Sequence, residues 1–129
     1  PAPEKSPPAS SGSVARFDGR WSVNVDCPKH PDGASGYVLD FVAVVKDGFL
    51  QGERAAEGAA GSIRIQGNIQ PDGTAKFEVN GITGDPKFLL KGGRPGTPYG
   101  YDVAARFEGS RGTGRRLQLR ACVLTFNRQ

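Results

Sequence analysis

The sequence predicts an all-β fold, an antiparallel up-and-down β-barrel of about eight strands. Apolar and polar residues alternate along most of the chain, which is the period of a strand and not of a helix. The 129 residues include 19 glycines and 10 prolines, which favours many turns over long helices. The length fits one domain, and no apolar run approaches the roughly 20 residues that a membrane helix requires.

The N-terminal segment differs in composition from the rest of the chain. Residues 1–15 are rich in proline and serine and lack apolar periodicity, so they are predicted to form a flexible linker or tail. Residues 16–129 then form a single domain. Its first strand is predicted at about 17–27, where apolar residues from Phe17 to Cys27 share one face and polar residues the other.

The second strand, predicted at 37–46, is apolar on both faces. Its outward face carries Val38, Val42 and Val44 among the polar residues. An apolar outer face predicts a cover, which the N-terminal segment, a neighbouring strand end or a second subunit could supply.

Turns separate the middle strands. Lys46-Asp47-Gly48 predicts a tight hairpin, Gln70-Pro71-Asp72-Gly73 predicts another, and the small residues of 55–61 predict a loop. The strands between them are predicted at 49–54, 63–69 and 75–80.

The C-terminal half begins with an irregular stretch. Residues 82–100 are rich in glycine and proline and predict a long loop that carries one short strand at 88–90. A strand is then predicted at 99–108, a turn at 110–114, and the last strand at 115–127.

The two cysteines indicate how the sheet closes. Cys27 and Cys122 have no cluster of further metal ligands around them, which predicts a disulfide. Placing them opposite each other on antiparallel first and last strands pairs Val25 with Leu124, Val23 with Phe126, and Trp21 with Arg128. Apolar partners meet throughout this face apart from the Trp21–Arg128 pair, which favours this register and closes the barrel.

The same alternation creates a conflict further back in the last strand. It places Arg116, Gln118 and Arg120 inward and the intervening leucines outward. A β-bulge between Leu119 and Cys122 would exchange the two faces, and the sequence therefore predicts one there.

Gly19-Arg20-Trp21, with Arg128 opposite Trp21, resembles the G-x-W motif and terminal arginine of the lipocalin and avidin barrels. The resemblance implies that Arg128 packs on Trp21 and closes one end of the barrel. Cation–π attraction gives such a pair about 0.5–2 kcal/mol.

The cellular location follows from the cysteines and from a second resemblance. Segments such as GSRGTGRRLQLRAC and KDGFLQGERAAEGAAG are similar to a small extracytoplasmic domain of proteobacteria. A disulfide also requires an oxidising compartment. Both observations predict a periplasmic or secreted protein.

The sequence offers little for catalysis. Its one histidine, His30, lies in a predicted loop with no nucleophile beside it and no spacing typical of a metal site. We expect no enzyme activity, no cofactor and no metal. The prediction is a non-catalytic binding module for a small molecule or a protein partner, and its oligomeric state is left open.

A small closed barrel holds either a ligand or its own side chains, and both interpretations of the interior remain open. If the interior admits a ligand, the mouth is expected at the 82–100 loop. The candidate ligand-binding residues are Tyr37, Phe41, Arg94, Tyr99 and Tyr101.

Two other functions are compatible with the residues. A barrel of this size could inhibit a protease through its extended N-terminal segment, residues 1–16. The chain carries a net charge of +4, and six arginines and one acidic residue lie between positions 106 and 129. An adhesin for anionic surfaces would use Arg111, Arg115, Arg116 and Arg120. Nucleic acid is not an expected partner.

Overall fold

The structure, a computed structural model, describes residues 15–55, 59–85, 87, 94–118 and 120–129. These residues form a closed antiparallel barrel in which each strand pairs with its neighbours in chain order, and the last strand pairs with the first. The eight strands are β1 (Gly19–Cys27), β2 (Tyr37–Lys46), β3 (Phe49–Arg54), β4 (Ile63–Ile69), β5 (Thr74–Ile82), β6 (Pro98–Glu108), β7 (Arg111–Arg116) and β8 (Val123–Arg128). The predicted fold class is confirmed.

The closing register is the one that the sequence predicts. β1 and β8 pair Trp21 with Arg128, Val23 with Phe126 and Val25 with Leu124. Cys27 is the last residue of β1, and Cys122 directly precedes β8. The two form a disulfide with their Cα atoms 4.3 Å apart.

The prediction for the C-terminal region is wrong in two places. Residues 111–114 of the predicted turn belong to strand β7, and the chain reverses at Gly109 and Ser110, where the φ of +57° at Gly109 favours glycine. The predicted continuous strand at 115–127 is divided, because residues 117–122 connect β7 to β8. The face conflict is therefore resolved by a reversal of the chain between β7 and β8, and residues 120–122, the described part of the predicted bulge, are not in a strand.

Glycines explain why β7 carries no apolar alternation. Gly112 and Gly114 lie at inward positions, paired with Phe107 and Ala105 of β6. A Cβ atom at Gly112 would lie 2.8 Å from Cδ2 of Phe107. The strand leaves space for this ring and contributes no inward side chain at either position. The predicted short strand at 88–90 and most of the predicted linker lie outside the described residues.

The two ends of the barrel differ. Tight turns join β2 to β3, β4 to β5 and β6 to β7 at one end, which we call the closed end. The described residues of the longer connections lie at the other end, which we call the mouth; they are 28–36, 55, 59–62, 83–85, 87, 94–97, 117–118 and 120–122.

Aromatic side chains fill the interior near the closed end. Phe107 lies at the centre of this cluster, with ring-centroid distances of 5.1 Å to Trp21, 5.9 Å to Phe17, 5.9 Å to Phe77 and 5.0 Å to Phe126. All five side chains are buried. The half of the interior next to the closed end, which we call the lower interior, is therefore a packed core.

Arg128 covers this core at the closed end. Its guanidinium lies 5.0 Å from the Trp21 ring, and its Nη1 donates to the carbonyl of Asp18 at 3.0 Å. Its Nη2 donates to the carbonyl of Arg16, and the indole of Trp21 donates to the carbonyl of Phe17 at 2.8 Å. These bonds tie the segment before β1 across the end of the barrel.

The outer face of β2 is exposed. Val38, Val42 and Val44 all face outward, and Val38 retains 56% of its accessible surface. Within the described part of the chain, no residue covers this face. The three predicted kinds of cover stay predictions.

Candidate functional site

The half of the interior next to the mouth, which we call the upper interior, is less filled than the lower interior. β2 turns Tyr37, Leu39 and Phe41 inward, and all three are only partly buried. The ladder between β2 and β3 joins only Ala43–Lys46 to β3, so in the described residues the upper part of β2 has no partner on that side. Inward side chains near the mouth consequently keep access to solvent.

Tyr99 and Tyr101 supply the opposite wall, on β6. Their rings stack with centroids 6.2 Å apart and planes inclined by 14°. Gly81 of β5 pairs with Tyr99, and a Cβ atom there would lie 2.6 Å from the Tyr99 hydroxyl. Glycine at this position allows the Tyr99 ring to lie against the neighbouring strand.

Arg116 lies at the mouth and not on the outer surface. It ends β7 opposite Val103, an inward residue of β6. Its guanidinium lies 4.1 Å from the centroid of the Tyr101 ring, and its Nε donates to the carbonyl of Gln118 at 2.8 Å. Gln118 is held in turn by hydrogen bonds to Asp102.

Arg120 is buried, with 3% of its surface exposed, and it organises the loops around the mouth. Its guanidinium lies 5.0 Å from the Tyr37 ring and donates to the carbonyls of Pro28 and Ser35. It thus joins the connection before β8 to the connection before β2, beside the disulfide.

The structure therefore separates the predicted arginine cluster. Arg111 and Arg115 are exposed on the outer face of β7, whereas Arg116 and Arg120 lie at the mouth. Among the predicted ligand residues, Tyr37, Phe41, Tyr99 and Tyr101 all face the upper interior. Arg94 is exposed on the 83–97 connection, and its described contact is made by its backbone carbonyl with Thr83.

Sequence reasoning missed two residues of the mouth. Leu39 faces inward between Tyr37 and Phe41, as its place in the alternation indicates. Arg54 pairs with the inward Ile63 at the end of β3 nearest the mouth. Its inward position could not be predicted, because a charged residue at a strand end does not stand out as part of an apolar alternation. A cavity of about 190 Å³ opens nearby, lined by residues that include Ile63, Gly81 and Tyr99.

Burial alters the acidity of two tyrosines. It is the largest cause that raises the pKa of Tyr99 to about 12, and the nearby Tyr37 adds to the effect. The same causes, together with Tyr99, raise the pKa of Tyr101 still further, against the opposing attraction of Arg116. Both hydroxyls are therefore neutral hydrogen-bond donors near neutral pH.

The hydroxyl of Tyr101 is buried, and among the described residues it has no hydrogen-bond partner. The residue as a whole is 5% exposed. A buried polar atom without a partner costs about 1–3 kcal/mol in a protein interior. A ligand that supplied a hydrogen-bond acceptor to the Tyr101 hydroxyl would therefore remove this free-energy cost.

His30 is part of a turn. Its Nδ1 lies 3.0 Å from a carboxylate oxygen of Asp32, and it also accepts from the backbone of Asp32. In the part of the chain that the structure describes, no three His, Cys, Asp or Glu residues are grouped as metal ligands. No helix formed by these residues has the length and apolar character to cross a membrane.

The pKa values of Tyr99 and Tyr101 can be measured in a variant in which Tyr37 does not contribute to the absorbance. In Tyr37→Phe, Tyr99 and Tyr101 are the remaining tyrosines of the three in the sequence. We expect both tyrosinate midpoints to stay above the ordinary value of a tyrosine, because burial, the largest cause of the raised pKa values, is unchanged, whereas the smaller contribution of Tyr37 is lost. Because folding raises both pKa values, the associated stability is complete below about pH 10 and is lost as the pH rises through the folded values. Two midpoints near 10 in the folded variant would contradict the burial of these rings.

The chain matches no protein-family model, and neither a curated protein nor a solved structure shows significant similarity to it. The class of the molecule therefore rests on its own geometry, a closed eight-stranded antiparallel barrel with one packed end and one mouth.

Proposed function

We propose that this protein is a non-catalytic binding module that takes a small molecule, or a segment of a protein partner, into the mouth of its barrel. The observation that carries the proposal is the buried hydroxyl of Tyr101, which lacks a hydrogen-bond partner among the described residues. Ligand sites typically combine an apolar concave wall with a few polar groups that fix orientation.

The contrast between the two ends supports the mouth as the site. At the closed end, the core is packed around Phe107 and Arg128 is hydrogen-bonded across the opening. At the mouth, Leu39, Phe41 and Tyr99 are only partly buried, so they retain apolar surface that a ligand could cover. Burial of such surface contributes about 25 cal/mol per Å².

The titratable groups at the mouth favour binding over catalysis. Among the described residues, those that face the upper interior are tyrosines, two of which have raised pKa values, and arginines, whose guanidinium groups keep their protons in proteins. A general acid or base works best with a pKa near the working pH. These side chains are suited to donating hydrogen bonds to a bound molecule.

The disulfide between Cys27 and Cys122 supports a periplasmic or secreted location, because such bonds persist in oxidising compartments. The barrel with Arg128 packed on Trp21 supports a relation to the lipocalin and avidin architecture.

The two alternatives make different predictions. Arg111 and Arg115 are exposed on one outer face, which favours an adhesin whose binding to anionic surfaces weakens at physiological salt. An inhibitor would act through residues 1–16, of which 1–14 lie outside the described residues. Deletion of 1–13 would abolish inhibition and leave binding at the mouth unchanged.

Two phenylalanines provide a matched test of the mouth. Phe41 faces the upper interior, whereas Phe49 lies on the outer face with 38% of its surface exposed. With the neutral fluorescent probe N-phenyl-1-naphthylamine, we expect Phe41→Ala to weaken binding at least fivefold and Phe49→Ala to change it less than twofold. Equal effects, or no binding by the folded wild type, would contradict the proposal.

A further inference from the structure

The inward positions of the barrel carry charge of one sign only. Side chains at inward positions of the eight strands can be identified from the ladder pairs, and the charged ones are Arg54, Arg116 and Arg128. The acidic residues of the strands, such as Glu78 and Asp102, lie on the outer face. Near the mouth, the charged residues at inward strand positions are therefore Arg116 and the exposed Arg54, and the carboxylate of Glu53 lines the adjoining cavity from the outer face of β3.

These arginines differ in how their donors are used. Arg128 donates to two backbone carbonyls at the closed end, and the buried Arg120 likewise donates to two carbonyls beside the mouth. Arg116 has one described hydrogen bond, from Nε to the carbonyl of Gln118. Among the described residues, no carboxylate forms an ion pair with Arg116. Its two terminal nitrogens are thus the donors best placed for a ligand.

Arg116 and Tyr101 form one unit. The guanidinium lies over the ring, 4.1 Å from its centroid, so it contacts the residue whose buried hydroxyl has no hydrogen-bond partner among the described residues. Each is a donor, and neither can accept a proton near neutral pH. Donors from a guanidinium and from a neighbouring hydroxyl favour an anionic oxygen, because hydrogen bonds to charged groups are stronger than those between neutral groups.

From this geometry, and resting on the proposed function, we propose that the ligand is a small organic anion. Its carboxylate or phosphate accepts hydrogen bonds from the Arg116 guanidinium and the Tyr101 hydroxyl. Its flat apolar part packs against Leu39, Phe41 and Tyr99. The anion gives the Tyr101 hydroxyl an acceptor and provides a counterion for Arg116.

The test compares three phenyl compounds of similar size. Benzoate and phenyl phosphate are anions, and benzamide is the neutral relative of benzoate. Dissociation constants come from titrations followed by amide ¹H–¹⁵N NMR spectra at constant ionic strength, which also show where each compound binds. We expect at least one of the anions to bind at the mouth about tenfold more tightly than benzamide. The better anion identifies the carboxylate or the phosphate as the preferred group.

Neighbouring arginines on β7 provide matched variants. Arg116→Gln is expected to weaken binding of the preferred anion about tenfold and leave benzamide unchanged. Arg115→Gln removes the same charge from the outer face and is expected to change either affinity less than twofold. Tyr101→Phe is expected to weaken binding of the preferred anion at least threefold. It supplies a second test if Arg116→Gln does not fold.

The outcomes separate the two proposals. If N-phenyl-1-naphthylamine binds at the mouth but the anions show no advantage over benzamide, the ligand class is wrong and the proposed function stands. Equal losses in Arg115→Gln and Arg116→Gln would indicate general attraction by positive charge and would also overturn the assignment. If neither N-phenyl-1-naphthylamine nor any of the three phenyl compounds binds at the mouth, both proposals are overturned.

Discussion

A Phe107→Ala variant is expected to lose about 3–5 kcal/mol of unfolding free energy, the range for deletion of a large buried aromatic side chain. The Phe107 ring is 2% exposed and lies within 6 Å of four other aromatic rings, measured between centroids. Its removal leaves a cavity that the barrel wall cannot readily fill, since Gly112 beneath the ring contributes no side chain. Chemical denaturation followed by far-ultraviolet circular dichroism measures the loss.

Phe49→Ala is the control for this prediction. Phe49 lies on the outer face of β3 and keeps 38% of its surface exposed, so we expect a loss below about 1 kcal/mol. A Phe107→Ala variant as stable as Phe49→Ala would show that the lower interior is not packed as the structure has it.

Removal of the disulfide is expected to lower the unfolding free energy by about 2–5 kcal/mol. Cys27 and Cys122 are 95 positions apart in a chain of 129 residues, so the bond closes a long loop in the unfolded chain. The double variant Cys27→Ala/Cys122→Ala also removes the bond that attaches the connection before β8, which carries Arg120, to the end of β1. We therefore expect weaker binding at the mouth in addition to lower stability.

A reducing agent provides the control for the disulfide. It should lower the stability of the wild type towards that of the double variant and leave the double variant unchanged. The account of the seam would be contradicted if the double variant were as stable as the oxidised wild type.

The closing seam could be predicted from the sequence because several independent features agree on one register. The apolar face of β1, the apolar face of β8 and the two cysteines all fit a single pairing. A shift by one residue would turn one of these faces towards solvent. Such agreement is strongest where strands bury one face, as β1 does.

Strand β7 could not be predicted because its inward positions carry no apolar signal. Gly112 and Gly114 stand where alternation would require apolar side chains, and glycine in a sequence ordinarily indicates a turn. If β7 is not recognised, the alternation of β8 continues backwards through a connection that is not a strand. This continuation produces the face conflict and the prediction of a bulge.

The mouth could be predicted in part. Tyr37, Phe41, Tyr99 and Tyr101 follow from alternation along β2 and β6, which long strands make clear. The roles of Arg116 and Arg120 depend on where β7 ends, and a charged residue is ordinarily expected on the outer face.

The most direct test of the account is the position of a bound probe. Amide ¹H–¹⁵N spectra recorded while the wild type is titrated with N-phenyl-1-naphthylamine report every backbone position that a ligand affects. We expect saturable shifts at Tyr37–Phe41, Tyr99–Tyr101 and Arg116, and unchanged resonances from Phe17 to Trp21 at the closed end. Shifts centred on the closed end, or on the outer face around Val42 and Phe49, would contradict the account.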